Sequence, residues 1–254
     1  MNQVLFKDLG EKLPYKKVWD YQEQLLKQNV TIKAWNREAI ATGLAVKVQD
    51  GGTIETLTIE TRQILNYLLF VEHSPVYTLG KSGDASNILI SNEDREAKGI
   101  DFFKINRGGD ITFHGPGQLV GYPILDLEAF RTDLGWYLRS LEEVIILTMK
   151  EYGLNGMRSS GETGVWLDAD IPGKERKICA MGIRCSRWIT MHGLAFNINT
   201  DLNYFSYIIP CGIVNKQVTS LQKELGRGVS MKEVKEKVKR NFQLVFDALL
   251  QDWA

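Results

Sequence analysis

The twelve residues from Arg107 to Gln118, Arg-Gly-Gly-Asp-Ile-Thr-Phe-His-Gly-Pro-Gly-Gln, constrain the fold more than any other stretch of this chain. Four glycines permit backbone angles closed to other residues and remove the Cβ that would hold a neighbour away, while Pro116 fixes one turn and removes one N–H donor. Such a segment suits close approach of a ligand or another backbone. A Gly-Pro-Gly turn alone also serves as an ordinary tight connection between strands. Arg107 and His114 in the same run point instead to a shaped binding loop.

With 254 residues the chain can bury roughly three quarters of its unfolded surface in one core, and it contains no internal repeat, low-complexity tract or linker. Residues 1–254 therefore read as a single domain. The 31 basic and 31 acidic residues cancel, which leaves no global field to attract nucleic acid or an anionic membrane. Three cysteines without a secretory leader point to free thiols in a reducing compartment. No segment approaches the ~20 apolar residues of a membrane span, so the expectation is a soluble, cytoplasmic protein.

Tyr15, Val18, Gln22, Leu25 and Leu26 fall at helical spacing behind Pro14 and predict an amphipathic helix over 14–28. Residues 44–48 and 53–59 predict two short strands around an Asp50-Gly51-Gly52 turn, a hairpin insertion spanning about 33–58. The apolar runs 65–71 and 124–127 predict buried strands. Asp133 caps a helix running towards Gly153, and residues 165–167, 177–185, 188–191 and 194–198 predict successive strands. Ser230 and Glu233 form a capping box ahead of Val234, Val238, Phe242, Val245, Phe246 and Leu249. The fold class is α/β, a mixed sheet with flanking helices.

Among the thiols, Cys179 lies between Ile178 and Ala180 and, with Cys185, fits the usual role of a small buried hydrophobe. Cys211 stands in Pro-Cys-Gly, a turn setting that exposes a thiol, and is the best nucleophile candidate. A thiol attacks as thiolate, of which only about three per cent exists at pH 7 without a nearby cation or base. The sequence alone does not place that partner. His114 and His192, each followed by glycine, read first as pocket-lining residues, and His73 as a structural hydrogen-bonding residue. The scattered cysteines and histidines lack metal-ligand spacing, so no metal is expected. Lys174, Arg176, Lys177, Arg184 and Arg187 form the densest basic cluster, a candidate docking surface for acidic partners.

The glycine-rich run continued through Leu127 resembles the signature of the lipoyl(octanoyl) transferases. Three further blocks in the same order resemble that family: Glu72 to Lys81, Gly164-Val165-Trp166 with Lys177 to Arg184, and His192 to Asn197 running into Ile209-Pro-Cys-Gly-Ile213. The resemblance implies a biotin/lipoate protein ligase-like catalytic domain and an octanoyltransferase of protein lipoylation. Such an enzyme moves an octanoyl group from acyl carrier protein to lysines of lipoyl domains, in 2-oxoacid dehydrogenase complexes and the glycine cleavage H protein, through an acyl-cysteine thioester. It further implies no cofactor, Cys211 as nucleophile and Lys177 as its partner.

By the same resemblance, Arg107, Gly108, Gly109, Asp110, Ile111, Thr112, Phe113 and His114 line the acyl site with Ala180, Met181 and Gly182 and with Gly193, Leu194 and Ala195. Phe113 stands where many members carry tyrosine. A desolvated lysine can take the thiol proton and then hold the thiolate as an ammonium ion. The alternatives are an ATP-dependent lipoate-protein ligase on the same fold and a noncatalytic module that holds lipoyl domains.

Overall fold

The computed structural model describes residues 1–42, 45–47, 57–59, 61–209 and 217–253. Its strands are β1 (Asn2–Asp8), β2 (Ala45–Lys47), β3 (Leu57–Ile59), β4 (Asn66–Val71), β5 (Val76–Leu79), β6 (Asp101–Lys104), β7 (Ile111–His114), β8 (Gln118–Ile124), β9 (Val165–Leu167), β10 (Arg176–Ser186), β11 (Ile189–Asn197), β12 (Gln217–Val218) and β13 (Ala248–Asp252). The helices are α1 (Tyr15–Thr42), α2 (Asn92–Ala97), α3 (Leu134–Lys150), α4 (Leu221–Leu225) and α5 (Met231–Phe246).

A large mixed sheet runs β12-β10-β11-β8-β4-β1-β13, with β9 also paired to β10, and a smaller sheet runs β6-β5-β7. Both faces of the large sheet are covered. On one side α3 and α5 bring Tyr137, Leu141, Val144, Val234, Val238, Phe242 and Phe246 onto Leu68, Phe70, Leu119, Leu194 and Phe196. On the other, α1 lays Val18, Leu25 and Leu26 over Tyr67, Leu69, Val120 and Tyr122. Alternate residues of one strand thus serve two cores, as strand geometry requires.

The predicted amphipathic stripe is the start of α1, and its five apolar-face positions, Gln22 included, are buried. The helix runs on to Thr42 because its continuation is anchored by polar side chains: Asn29 Nδ2 donates to Leu65 O, and the buried Lys33 amine pairs with Asp126 at 2.6 Å. The stretch read as a hairpin insertion from about 33 is therefore core helix at first. Beyond it β2 and β3 pair antiparallel, and the turn at Asp50-Gly51-Gly52 lies outside the described residues.

The strand read at 124–127 lies earlier, at β8. Leu127 instead opens a 3-10 turn, whose cap is the Asp126 carboxylate accepting the Glu128 N–H. The predicted strands 188–191 and 194–198 are one strand, β11, paired along its length with β10. Asp133 and Ser230 cap α3 and α5 as expected, but Leu249 falls in β13, because Asp247 ends α5 in the left-handed region.

Candidate active site

A cavity of about 420 Å3 lies between the small sheet and the β8-β11-β10 part of the large one, with Tyr15 of α1 in its wall. Arg107, Gly109, Asp110, Ile111, Thr112 and His114 line it from one side. Lys177, Ala180, Met181 and Gly182 of β10 and Gly193, Leu194 and Ala195 of β11 line it from the other. Two of the expected lining residues do not reach it. Gly108 lies behind, its N–H bonded to Ile183 O at 2.9 Å, and Phe113 points away into the core of the small sheet, stacked on Tyr204. A phenol hydroxyl at position 113 would therefore not face the cavity. Cys211 lies outside the described residues.

Small residues make the groove. A Cβ on Gly182 would stand 2.8 Å from Gly108 O, and one on Gly193 2.3 Å from Gly121 O, so glycine is what lets the strands and the binding loop come this close. Lys177 reaches the groove through an irregularity. Pairing of β10 with β9 shifts between Lys177 and Cys179, so Ile178 and Cys179 both enter the large core while Lys177 shares the cavity with Ala180 and Gly182. In a regular strand Lys177 and Ala180, three positions apart, would face opposite ways; the extra residue of a β-bulge restores their common face. The Lys177 amine lies 4.5 Å from the Trp166 ring centroid, on the residue that pairs with it across the strands.

Beneath the loop runs a buried chain of hydrogen bonds. Arg107 donates to Thr78 O and Oγ1, and Thr78 Oγ1 lies 3.3 Å from His114 Nε2. His114 Nδ1 meets Gln118 Oε1 at 2.8 Å, Gln118 Nε2 donates to Asn197 Oδ1, and Asn197 Nδ2 donates to Thr219 O. Thr219 N in turn donates to Lys177 O at 2.9 Å, so the chain joins the glycine-rich loop to the segment that follows the undescribed residues. Such networks are stable in low dielectric only when satisfied.

Burial keeps the three histidines neutral. His73 is held down to about 4 and His192 to about 3, the latter also by the cations of Arg107 and Arg184, and His114 lies well below its ordinary value, with His73 as a second cause. His73 has the structural role read for it, with Nδ1 at 3.1 Å from Leu13 O and Nε2 at 2.7 Å from Tyr122 Oη. Burial pushes the Cys179 and Cys185 thiols up, away from the thiolate form.

Several wall residues escaped the sequence reading. Tyr15 and Tyr122 fall in apolar patterns that mark them only as core. Gly161, Glu162 and Thr163 form a wall whose support is remote: the fully buried Glu142 accepts from Gly164 N–H at 3.0 Å and pairs with Arg139 and Arg158. The basic cluster read as a docking surface is partly neutralised. Arg176 pairs with Glu224 and Asp168, and Arg184 with Glu23. Among the described residues no group of three histidine, cysteine or acidic side chains is arranged to hold a metal ion, and no helix is long and apolar enough to cross a membrane.

Residues 53–243 match the lipoyl protein ligase A/B catalytic domain family. The octanoyltransferase of Christiangramia forsetii is 55% identical over 250 residues, covering 98% of each chain. That of Flavobacterium psychrophilum is 56% identical over 249 residues, covering 97% of this chain and 98% of its own. Among solved structures, the bipartite lipoate protein ligase of Thermoplasma acidophilum superimposes with a TM-score of 0.66 at 16% identity, over 100% of this chain and 87% of that one. A lipoate-protein ligase A bound with ATP gives 0.63 at 14%, over 99% and 88%. At such identities the likeness is one of fold, the biotin/lipoate protein ligase-like fold. The relatives over nearly the full chain carry it further, and the chain belongs to the octanoyltransferases of the lipoyl protein ligase A/B catalytic domain family.

Proposed function

We propose that this octanoyltransferase acts in protein lipoylation by moving an octanoyl group from acyl carrier protein to a lysine of a lipoyl domain, through a thioester on Cys211. The observation that carries the reading is a lysine, Lys177, brought by a bulge into a cavity walled by glycine, alanine and backbone. Small side chains and backbone suit an acyl chain lying flat. β12 re-enters the sheet with Val218 paired directly to Lys177, seven positions after Cys211, and this adjacency supports the pairing of the two residues.

In the first half-reaction the Cys211 thiolate attacks the thioester carbonyl, and the carrier leaves as a thiol with the proton that Lys177 took from Cys211. In the second, the ε-amine of the acceptor lysine attacks acyl-Cys211, forms an amide, gives up a proton through Lys177 and releases the thiol. The donor is already activated, so the transfer runs without nucleotide. The partners are the acyl carrier protein and the lipoyl domains of 2-oxoacid dehydrogenase complexes and of the glycine cleavage H protein, and the setting is the cytoplasm.

Intact-mass spectrometry after incubation with octanoyl carrier protein, without ATP or magnesium, tests the reading. An octanoyl adduct is expected on wild type and absent from Cys211→Ser. An adduct on Cys179 or Cys185, or strict dependence on ATP with free octanoate, overturns it. Tight lipoyl-domain binding with no turnover from any donor would identify a holding module.

A further inference from the structure

One carboxylate on the core side of α3 takes no part in the chemistry described so far. Glu142 is fully buried, in a helix whose other inward residues include Leu141, Val144, Ile145 and Met149. An ionised group in such a place is costly unless opposite charges and hydrogen bonds meet its oxygens. Here they do. Oε2 accepts from Arg139 at 2.6 Å and from Arg158 Nε at 3.0 Å, and Oε1 accepts from the Gly164 N–H at 3.0 Å.

Arg158 and Gly164 belong to one loop. Its base is the bridge between Met157 and Trp166, which exchange backbone hydrogen bonds at 2.8 and 2.9 Å, and within it Gly161, Glu162 and Thr163 line the cavity. Glu142 therefore fastens the loop on both sides of its cavity-lining part. The same carboxylate reaches the bulge. Gly164 sits so close to β10 that a Cβ there would stand 2.4 Å from Cys179 O and 3.6 Å from Lys177 Cε. The next two residues, Val165 and Trp166, pair with Cys179 and Lys177 across the irregularity. A hydrogen bond from α3 thus holds the backbone that packs against the stem of Lys177. A hydrophobic side chain of similar size would suit the core face of α3 as well, but it could not hold the loop.

We infer that Glu142 is a positioning residue for the transfer, which fastens the 158–164 loop against β10 and keeps the bulge in the arrangement that turns Lys177 into the cavity. Its effect on rate rests on the transfer reading, and its effect on the loop does not.

Glu142→Leu tests the inference. The leucine suits the core, and Arg139 and Arg158, whose side chains are 46% and 37% exposed, can turn to water. Misplacing a reacting group by about 1 Å costs about a hundredfold, so kcat for octanoyl transfer should fall on that scale, with KM and the melting temperature near those of wild type. Alkylation of Cys211 should need higher pH, as in Lys177→Ala. Trypsin reads the loop without transfer: Glu142→Leu should be cut after Arg158 faster than wild type under native conditions, by about tenfold or more. Glu142→Gln keeps an acceptor for Gly164 but no charge for the arginines. It should restore kcat and the alkylation profile while leaving the Arg158 bond more easily cut than in wild type, and it decides the matter if the leucine variant does not fold. Wild-type transfer by a folded Glu142→Leu overturns the inference, as does wild-type cleavage in both variants. A loss of transfer matched by a lowered melting temperature, with no preference for the Arg158 bond, overturns it too. Failure of wild type to transfer octanoyl from any donor would instead defeat the transfer reading, and cleavage at Arg158 would still test the loop.

Discussion

The two faces of β10 show how one strand is divided between holding the fold and walling a cavity. On the α3 and α5 side Ile178 and Cys179 are completely buried among leucine, valine and phenylalanine side chains. On the other side stand Lys177, Ala180 and Gly182, opposite Arg107 and a chain of buried polar groups. The first face is filled by bulk and fixed by packing. The second is emptied by small residues, and its shape is fixed by hydrogen bonds and by glycine at points of close approach. Stability should therefore reside in the first and chemistry in the second.

The sharpest way to break that comparison is to change neighbouring residues on opposite faces. General acid–base groups contribute about a hundred- to ten-thousand-fold, so Lys177→Ala should lower octanoyl transfer on that scale and slow Cys211 alkylation at neutral pH while leaving the melting temperature nearly unchanged. Cys179→Ala should do the reverse, keeping most of the transfer and lowering stability by about 1 kcal/mol. Equal losses of transfer in the two variants would erase the distinction between faces.

Phe242 provides the next largest effect. It stacks on Phe246 at 4.5 Å between ring centroids and is buried in the α3 and α5 core, so Phe242→Ala should cost about 3–5 kcal/mol in denaturant unfolding. Its acyl-chain preference, measured on the folded fraction, should match wild type. A changed preference would mean that the two faces are mechanically coupled.

Acid should act on the cavity face. His73 and His192 are held to about 4 and about 3 in the folded protein, below the ordinary histidine value near 6.5, so the unfolded chain binds protons that the folded one refuses. Stability from these groups is complete above pH 6.5 and is lost as pH falls towards 4 and 3, on the order of 3 kcal/mol for His73 alone. Melting temperatures measured from pH 7 down to pH 4 should fall, and His73→Phe should flatten part of that slope. An unchanged slope in the variant would mean that other groups carry the acid sensitivity.

Much of this arrangement was legible in the residues, and what was hidden has physical causes. The stripe behind Pro14, the caps at Asp133 and Ser230 and the strands at β4, β9 and β10 follow from periodicity and capping. β1 gives only a weak signal although Val4 and Phe6 alternate with outward residues, because alternation over seven residues fixes little by itself. The length of α1 was hidden because its second half is held by Asn29 and Lys33, whose partners Leu65 and Asp126 lie far along the chain. The break expected near Gly193 has a counterpart: the backbone does turn left-handed at His192, but the ladder to β10 continues through it. Tyr15 and Tyr122 could not be distinguished from core aromatics, since the cavity they wall is made by two sheets meeting. The glycines could, since their need for close approach is written in their composition.

The bulge between Lys177 and Cys179 also determines which kinds of change this enzyme can inherit. Exchanges of one side chain for another along β10 alter a surface or a core locally. Loss or gain of one residue between Lys177 and Ala180 would reverse the parity of the strand, turning the amine away from the cavity with every side chain intact. The odd spacing Lys-Ile-Cys-Ala is thus information carried by length alone, and in this stretch drift in sequence is tolerable where drift in length is not.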